Sequence, residues 1–471
     1  MILGDIADGL TRGVETTVKT VSEAFFEPVI RLGVTGLSRA GKTVFITSLA
    51  ANLINRGRMP ALRAAAEGRI DTVWLQPQPD NTVPRFRFED HLAAMTGHDP
   101  HWPESTSGIS ELRLSFRVRP NGLLAGLQGA NTIHLDIVDY PGEWLLDLAL
   151  LDQSYRAWSD AVLARFGGRS EMAAFRHLLD DADGAAKLHE PQAQSLAAAY
   201  TEALSNLRQA GLSNCTPGRF LLPGDLKGSP VLTFSPLPPG SAPRGSLARE
   251  FERRFEAYKR EVVRPFFREH FARIDRQVVL VDMLGAIHSG PAAVEDMRQS
   301  LADILGTFRP GLNDFLRQIF LGKRVEKILF AATKADHLHH SQHPQLTAIA
   351  DAVLNDARSR AEFAGAKTAA MSIASLRTTT EDRVEQGGRT LDVVRGTLLK
   401  SGKRVAMYPG RLPEDPSKLL NPARTGAESW LDAEYSIEGF APQEVSLKPG
   451  EGPPHIRLDR VAEFLIGDRL R

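Results

Sequence analysis

One cysteine, Cys215, stands among 471 residues. It has no second thiol to pair with in the chain, which excludes an intramolecular disulfide framework and fits a reducing cytoplasm. Long apolar runs are missing as well: no stretch approaches the ~18 residues that a membrane-crossing helix needs. The opening segment is no signal peptide, because Asp5, Asp8 and Glu15 interrupt it. It reads as an amphipathic helix with Ile6, Leu10, Val14, Val18, Val21 and Phe25 on one stripe, packed on the core. Its polar face mixes both signs, unlike the basic face of a membrane-surface helix. Net charge is also absent. Lys+Arg and Asp+Glu are both 57, giving +0, so no bulk field draws nucleic acid or membrane, and no nucleic-acid partner is expected.

What remains is an ordinary folded composition, 42% hydrophobic and 24% charged, enough for a large core. The length suggests about three units. Strand-like apolar runs fall at 30–35, 111–118, 132–138, 277–283, 325–332 and 367–373, with helical patterns between most of them. Strands interleaved with helices imply an α/β fold with a mostly parallel sheet covered on both faces. The interruption is 145–274, which reads as helices around a Pro/Gly-rich stretch at 216–246. A long helix runs from Ser246 to about Arg273, and Pro265 should kink or break it. Its apolar face is Leu247, Phe251, Phe255, Tyr258, Val262, Phe266 and Phe271; its other face interleaves Arg and Glu as a solvated charge network. Residues 377–388 and 411–428 read as loops, and 455–471 as a terminal helix. The expected division is 1–150 as the first part of the core with the N-terminal helix, 151–274 as a helical insertion, and 275–471 as the second part of the core with a C-terminal extension.

The chemistry starts at Gly36–Thr43, GLSRAGKT, which matches G-x-x-x-x-G-K-[ST] between an apolar strand and a helical pattern. In that setting Gly36, Ser38, Arg39, Ala40, Gly41, Lys42, Thr43 and Val44 would surround phosphate groups. Gly36 and Gly41 allow backbone N–H groups to converge, and the helix N-terminus adds partial positive charge. Lys42 can reach the β- and γ-phosphates, and the Thr43 hydroxyl can ligate Mg²⁺. At 133–144, IHLDIVDYPGEW ends a strand in D-x-x-G, placing Asp139 on the metal side and Gly142 where its N–H can meet a γ-phosphate. Asp136 falls on the other face of that strand. LFAATKADHL, 329–338, carries Thr333, Lys334 and Asp336 as [NT]-K-x-D. A carboxylate there can accept two hydrogen bonds from the guanine N1–H and N2–H₂ edge, a donor pair adenine lacks. Lys334 can lie along the purine face. Ser375 and Leu376, in MSIASLRT, resemble the loop that holds the base from its other side. A switch threonine should precede the strand before Asp139; Thr106 fits, with Thr72, Thr82 and Thr96 as rivals. Asp282, in a second D-x-x-G at 278–285, reads as structural or as a group behind the site, with the metal-side carboxylate role as the lesser alternative.

Motif order is that of Ras-like GTPases, and more closely the chain resembles the YcjX family of bacterial P-loop GTPases. The residues that carry this are GLSRAGKT (36–43), PQPDNTVPRF (77–86), HWPESTSGISELRL (101–114), DIVDYPGEWLLDL (136–148), VVLVDMLG (278–285), ATKADH (332–337) and IRLDRVAEFLIGDRL (456–470). The resemblance implies a Ras-like P-loop NTPase core with a helical insertion, GTP/GDP and Mg²⁺ as ligands, and a stress-related role. It also implies a cytoplasmic protein with a YcjF-like inner-membrane partner, hence a peripheral place at that membrane.

Four residues bear on hydrolysis. Lys42 and Gly142 serve the phosphates. Glu143 stands where Ras-like enzymes place a water-orienting Gln; it can accept from water but repels the γ-phosphate, so intrinsic hydrolysis should be slow. Arg39, inside the loop, is a candidate charge-stabilising arginine. A non-hydrolysing guanine-nucleotide scaffold and a P-loop ATPase are the alternatives. The run DHLHHSQH, 336–343, matches no closed zinc site and reads as a solvated helix start.

Overall fold

The computed structural model describes residues 27–36, 40–104, 108–120, 130–306, 325–363, 365–430 and 435–471. The amphipathic helix expected at the N-terminus, together with Ser38, Arg39 and Thr106, lies outside them. Seven strands form the central sheet: β1 (Val29–Gly36), β2 (Ile70–Gln76), β3 (Ser110–Val118), β4 (Asn131–Asp139), β5 (Arg276–Val281), β6 (Lys327–Ala332) and β7 (Lys367–Ser372). Their order is β2-β3-β4-β1-β5-β6-β7. β4, β1, β5, β6 and β7 are mutually parallel, while β3 runs antiparallel to both β2 and β4. All six strands read from the sequence are present. The edge strand β2 was not foreseen, because only Ile70 and Val73 of its seven residues are buried and no alternation marks it.

The parallel strands are buried on both faces, which their β-branched and aliphatic runs dictate. Val279 and Val281 of β5 point into one core and Val278 and Leu280 into the other. The second core holds the helix Lys42–Ile54, buried from Phe45 to Leu53, and the C-terminal helix Leu458–Ile466. The first core is continuous from the sheet into the helices between β4 and β5, chiefly Tyr155–Phe166, Glu190–Gln209 and Leu247–Tyr258. Aromatic rings fill it: Trp158 stacks on Phe255 at 5.2 Å, and Phe220 meets Phe234 edge-on at 4.9 Å. The helical segment therefore shares its hydrophobic core with the sheet.

Three expectations need correction. The stretch 377–388 contains a strand, β8 (Thr380–Gln386), which pairs with β9 (Arg389–Thr397) and β10 (Arg404–Met407) in a small antiparallel sheet. Gly387 and Gly388, both at positive φ, make the two-residue hairpin turn. Five of β8's seven residues are charged or amide-bearing and none is buried, so the hydrophobic pattern gave no signal. The stretch 411–428 contains the helix Ser417–Arg424, in which Leu419, Leu420 and Ala423 are buried; Pro422 inside it disguised the pattern. The long helix from Leu247 does not break at Pro265: it runs on through a π-helical turn, Lys259–Val263, into Arg264–Glu269, and the irregular turn falls just before the proline.

Candidate functional site

Parallel strands present their carboxyl ends at one edge, and loops leaving β1, β4, β6 and β7 meet there. Register fixes the arrangement: Val34 of β1 lies opposite Asp139 of β4, and Ala332 of β6 lies opposite Ser372 of β7. Between these loops is a cavity of about 410 Å³. Gly36, Ala40, Gly41, Lys42, Thr43 and Val44 line one end, and Thr333, Lys334, Asp336, Ser375 and Leu376 the other. Residues read from three separate motifs thus converge on one space.

At the first end, Gly41 caps the helix Lys42–Ile54 in the left-handed region, φ 78°, with no side chain capping the helix N-terminus. A helix N-terminus of this kind, with its partial positive charge, is suited to an anion. Lys42 Nζ lies 3.7 Å from Asp139 Oδ1, and Asp139 is buried at the tip of β4. The donor set suits Mg²⁺: a threonine hydroxyl and a carboxylate are the hard oxygen ligands it prefers. Asp136 is excluded from this group, since it forms a bidentate pair with Arg113, at 2.6 and 2.8 Å, inside the sheet. Gly142 opens a short helix, Gly142–Leu146, directly against the first glycine of the loop; a Cβ at that position would lie on the Gly36 carbonyl oxygen.

At the second end, Lys334 takes φ 62° and reaches the Asp282 carboxylate. Asp282 itself caps the helix Met283–Ser289 by accepting from Gly285 N–H at 3.0 Å, a structural role as expected. Asp336 is buried, and its Oδ2 accepts from Thr378 N–H at 2.9 Å and Thr378 Oγ1 at 2.8 Å. Thr378 thus holds this carboxylate in place at the cavity wall.

Several lining residues were not foreseen. Trp102, Pro103 and Glu104 come from the segment just before Thr106, and Trp102 Nε1 donates to Phe440 O at 2.9 Å. Phe440 meets His337 edge-on at 5.0 Å. A Trp–Pro pair ahead of a Ser/Thr-rich stretch was the available signal for 102–104; Phe440 had none. The rival threonines are occupied away from the cavity: Thr82 bonds Asp80, Thr96 bonds Leu92 O, and Thr72 lies on the edge strand β2. The histidine run is also corrected. His337, His339 and His343 are buried and only His340 is exposed. His343 Nε2 lies 2.8 Å from Ala335 O, so these rings brace the base-side loop.

Glu143 has a partner that the sequence did not foresee. It is buried and lines the cavity, with its Oε1 3.0 Å from a guanidinium nitrogen of Arg208, at the end of the helix Glu190–Gln209. The segment around it is fastened to the helices on every side. Arg219 stacks over Trp144 at 3.3 Å, and Gly218 packs on the Glu143 carbonyl. The buried Asp147 accepts from Gly218 N–H at 2.7 Å and from Tyr258 Oη. Burial pushes the Asp147 carboxyl up to about 7.

A mostly parallel sheet with this loop after its first strand, an acidic residue at the tip of β4 and a T-K-x-D loop after β6 defines a P-loop NTPase core of the Ras-like type. The chain belongs to the YcjX-like family, DUF463, whose profile matches residues 30–470. It is 39% identical over 459 residues to a protein named Ras-like GTPase YcjX from Escherichia coli K12, covering 94% of this chain and 96% of the relative. It is 36% identical over 468 residues to a protein of the same name from Shewanella oneidensis, covering 94% of each. Among the described residues no helix is long and apolar enough to cross a membrane.

Proposed function

We propose that this chain binds guanine nucleotides with Mg²⁺, hydrolyses GTP slowly, and acts as a molecular switch whose state is read by the helices of 151–274. The observation that carries this is the convergence of the Lys42 end and the Asp336 end on one cavity. Gly41, Lys42, Thr43 and the helix N-terminus hold the phosphates, Thr43 and Asp139 are the metal-side oxygens, and Asp336 reads guanine, with Lys334, Ser375 and Leu376 beside the base. Held by Thr43 and Asp139, Mg²⁺ would supply neutralisation of phosphate charge. In the reaction a water oxygen bonds to the γ-phosphorus while the bond from that phosphorus to the bridging oxygen breaks. GDP leaves with the electron pair, and the water proton ends on phosphate.

In the same reading Thr106 is the switch threonine, favoured because 102–104 reach the cavity while its rivals do not. Residues 1–150 and 275–471 make the GTPase core and 151–274 the insertion. The stress-related role and the YcjF-like inner-membrane partner follow from the family resemblance, and the outer face of the insertion is where such a partner would dock. The test is phosphate release at saturating GTP and ATP by wild type and Lys42→Ala. The reading requires release from GTP, little from ATP, and loss in the variant. Release from ATP at the GTP rate would defeat it.

A further inference from the structure

Glu143 and Arg208 meet at the wall of the phosphate end of the cavity, which also holds Gly41, Lys42 and Thr43. Neither side chain is placed by a loose loop. Glu143 belongs to the short helix that follows Gly142, its carbonyl packed on Gly218. Arg208 ends a helix of 20 residues anchored through buried Tyr200, Leu204 and Leu207. Both side chains are shielded, Glu143 being 9% and Arg208 27% exposed, so the pair is little screened. A carboxylate beside a phosphate site is electrostatically adverse, and a guanidinium is the group that makes it tolerable.

We propose that this ion pair is a latch, and that Arg208, released from Glu143 when a γ-phosphate arrives, is the catalytic arginine that stabilises the transferring phosphoryl group in cis. The proposal rests on the GTPase reading above. The γ-phosphate carries more negative charge than one carboxylate and repels Glu143, so it competes for Arg208 from the strong side. The planar fork of arginine donors matches phosphate oxygens as well as it matches a carboxylate. With GDP the competitor is gone and the pair closes. One guanidinium exchanging between two anions thus links nucleotide state to the helix Glu190–Gln209, and Glu143 acts as a brake. On this proposal Arg208 takes the charge-stabilising role for which the sequence also offers Arg39.

The experiment is single-turnover GTP hydrolysis by full-length wild type, Glu143→Gln, Arg208→Ala, Arg208→Lys and the double variant Glu143→Gln/Arg208→Ala. Fluorescent GDP affinity and a thermal melt are measured for each. A charge-stabilising arginine is worth about 10³–10⁵-fold in kcat when fully engaged, so even partial engagement leaves a loss of roughly tenfold or more in Arg208→Ala. Glu143→Gln should hydrolyse several-fold faster than wild type, and adding Arg208→Ala should erase that gain. Arg208→Lys, which keeps the charge and loses the fork, should stay well below wild type, and it carries the measurement if Arg208→Ala does not fold. GDP affinity should change far less than the hydrolysis rate, falling only modestly in Arg208→Ala, where Glu143 is left without this partner beside the phosphates. An Arg208→Ala rate close to wild type, or a Glu143→Gln variant slower than wild type, overturns the latch while leaving GTP binding intact. Failure of wild type to bind GDP or GTP at all overturns the GTPase reading and the latch together.

Discussion

Replacing Asp336 with Asn isolates the base-reading step, because the structure fixes the side chain independently of any ligand. Thr378 holds Oδ2 through its N–H at 2.9 Å and its hydroxyl at 2.8 Å. In the variant the amide oxygen can keep the Thr378 N–H bond, and the amide NH₂ then takes the position that faces the base. On the proposed reading the wild-type carboxylate accepts two hydrogen bonds from guanine, each worth about 1.5–3 kcal/mol for a charged acceptor, or ~3–6 kcal/mol together. At about 1.4 kcal/mol per decade, the GDP dissociation constant should rise by roughly 10²–10⁴-fold. The NH₂ now opposes donors on guanine but complements the 2-carbonyl of xanthine. Competition titrations with fluorescent GDP should therefore show xanthosine diphosphate outcompeting GDP in the variant, with the melt unchanged to within a few degrees. A GDP affinity within about fivefold of wild type would refute the reasoning, because so small a loss is below the value of one charged hydrogen bond.

Two further substitutions probe the phosphate end and its fastening. Gly142→Ala drives a methyl group onto the Gly36 carbonyl, so the loop or the helix Gly142–Leu146 must shift. The expected cost is about 1–3 kcal/mol in a melt, with a larger loss of affinity for a non-hydrolysable GTP analogue than for GDP; an unchanged melt contradicts the close approach. Asp147 is held near 7 against an ordinary 3.8, so the unfolded chain releases its proton first and stability falls as pH rises from about 4 to about 7. Each unit is worth about 1.4 kcal/mol, giving up to ~4 kcal/mol from this group. Glu111, pushed up to about 7 by burial and by Asp136, adds to the same window. Asp147→Asn should flatten the fall in melting temperature between about pH 4 and about pH 7, and a curve superposing on wild type would contradict the assignment.

The parallel core was legible because its strands are continuous apolar runs, and the phosphate and base loops because their chemistry needs fixed residue types at fixed spacing. Asp139 could be told from Asp136 by strand alternation, and Asp136 indeed turns into the sheet to Arg113. What escaped has a common cause. The small sheet β8–β10 and the edge strand β2 bury little, so periodicity was faint. The contact between Glu143 and Arg208 joins residues 65 positions apart in sequence, one in the core and one in the helical segment, and no local pattern encodes it. The buried histidines of 337–343 looked solvated because their burial comes from Phe440 and from the loop they brace, not from their own segment.

The central claim is that one cavity reads guanine and phosphate together. Calorimetric titration of the wild-type chain with GDP and with ADP, in Mg²⁺, tests it most directly. A site built to satisfy a base's hydrogen bonds rejects an analogue lacking them by about 10⁴–10⁵-fold, so GDP should bind at least ~10³-fold more tightly than ADP. Equal affinities would remove the guanine role of Asp336 and contradict the claim.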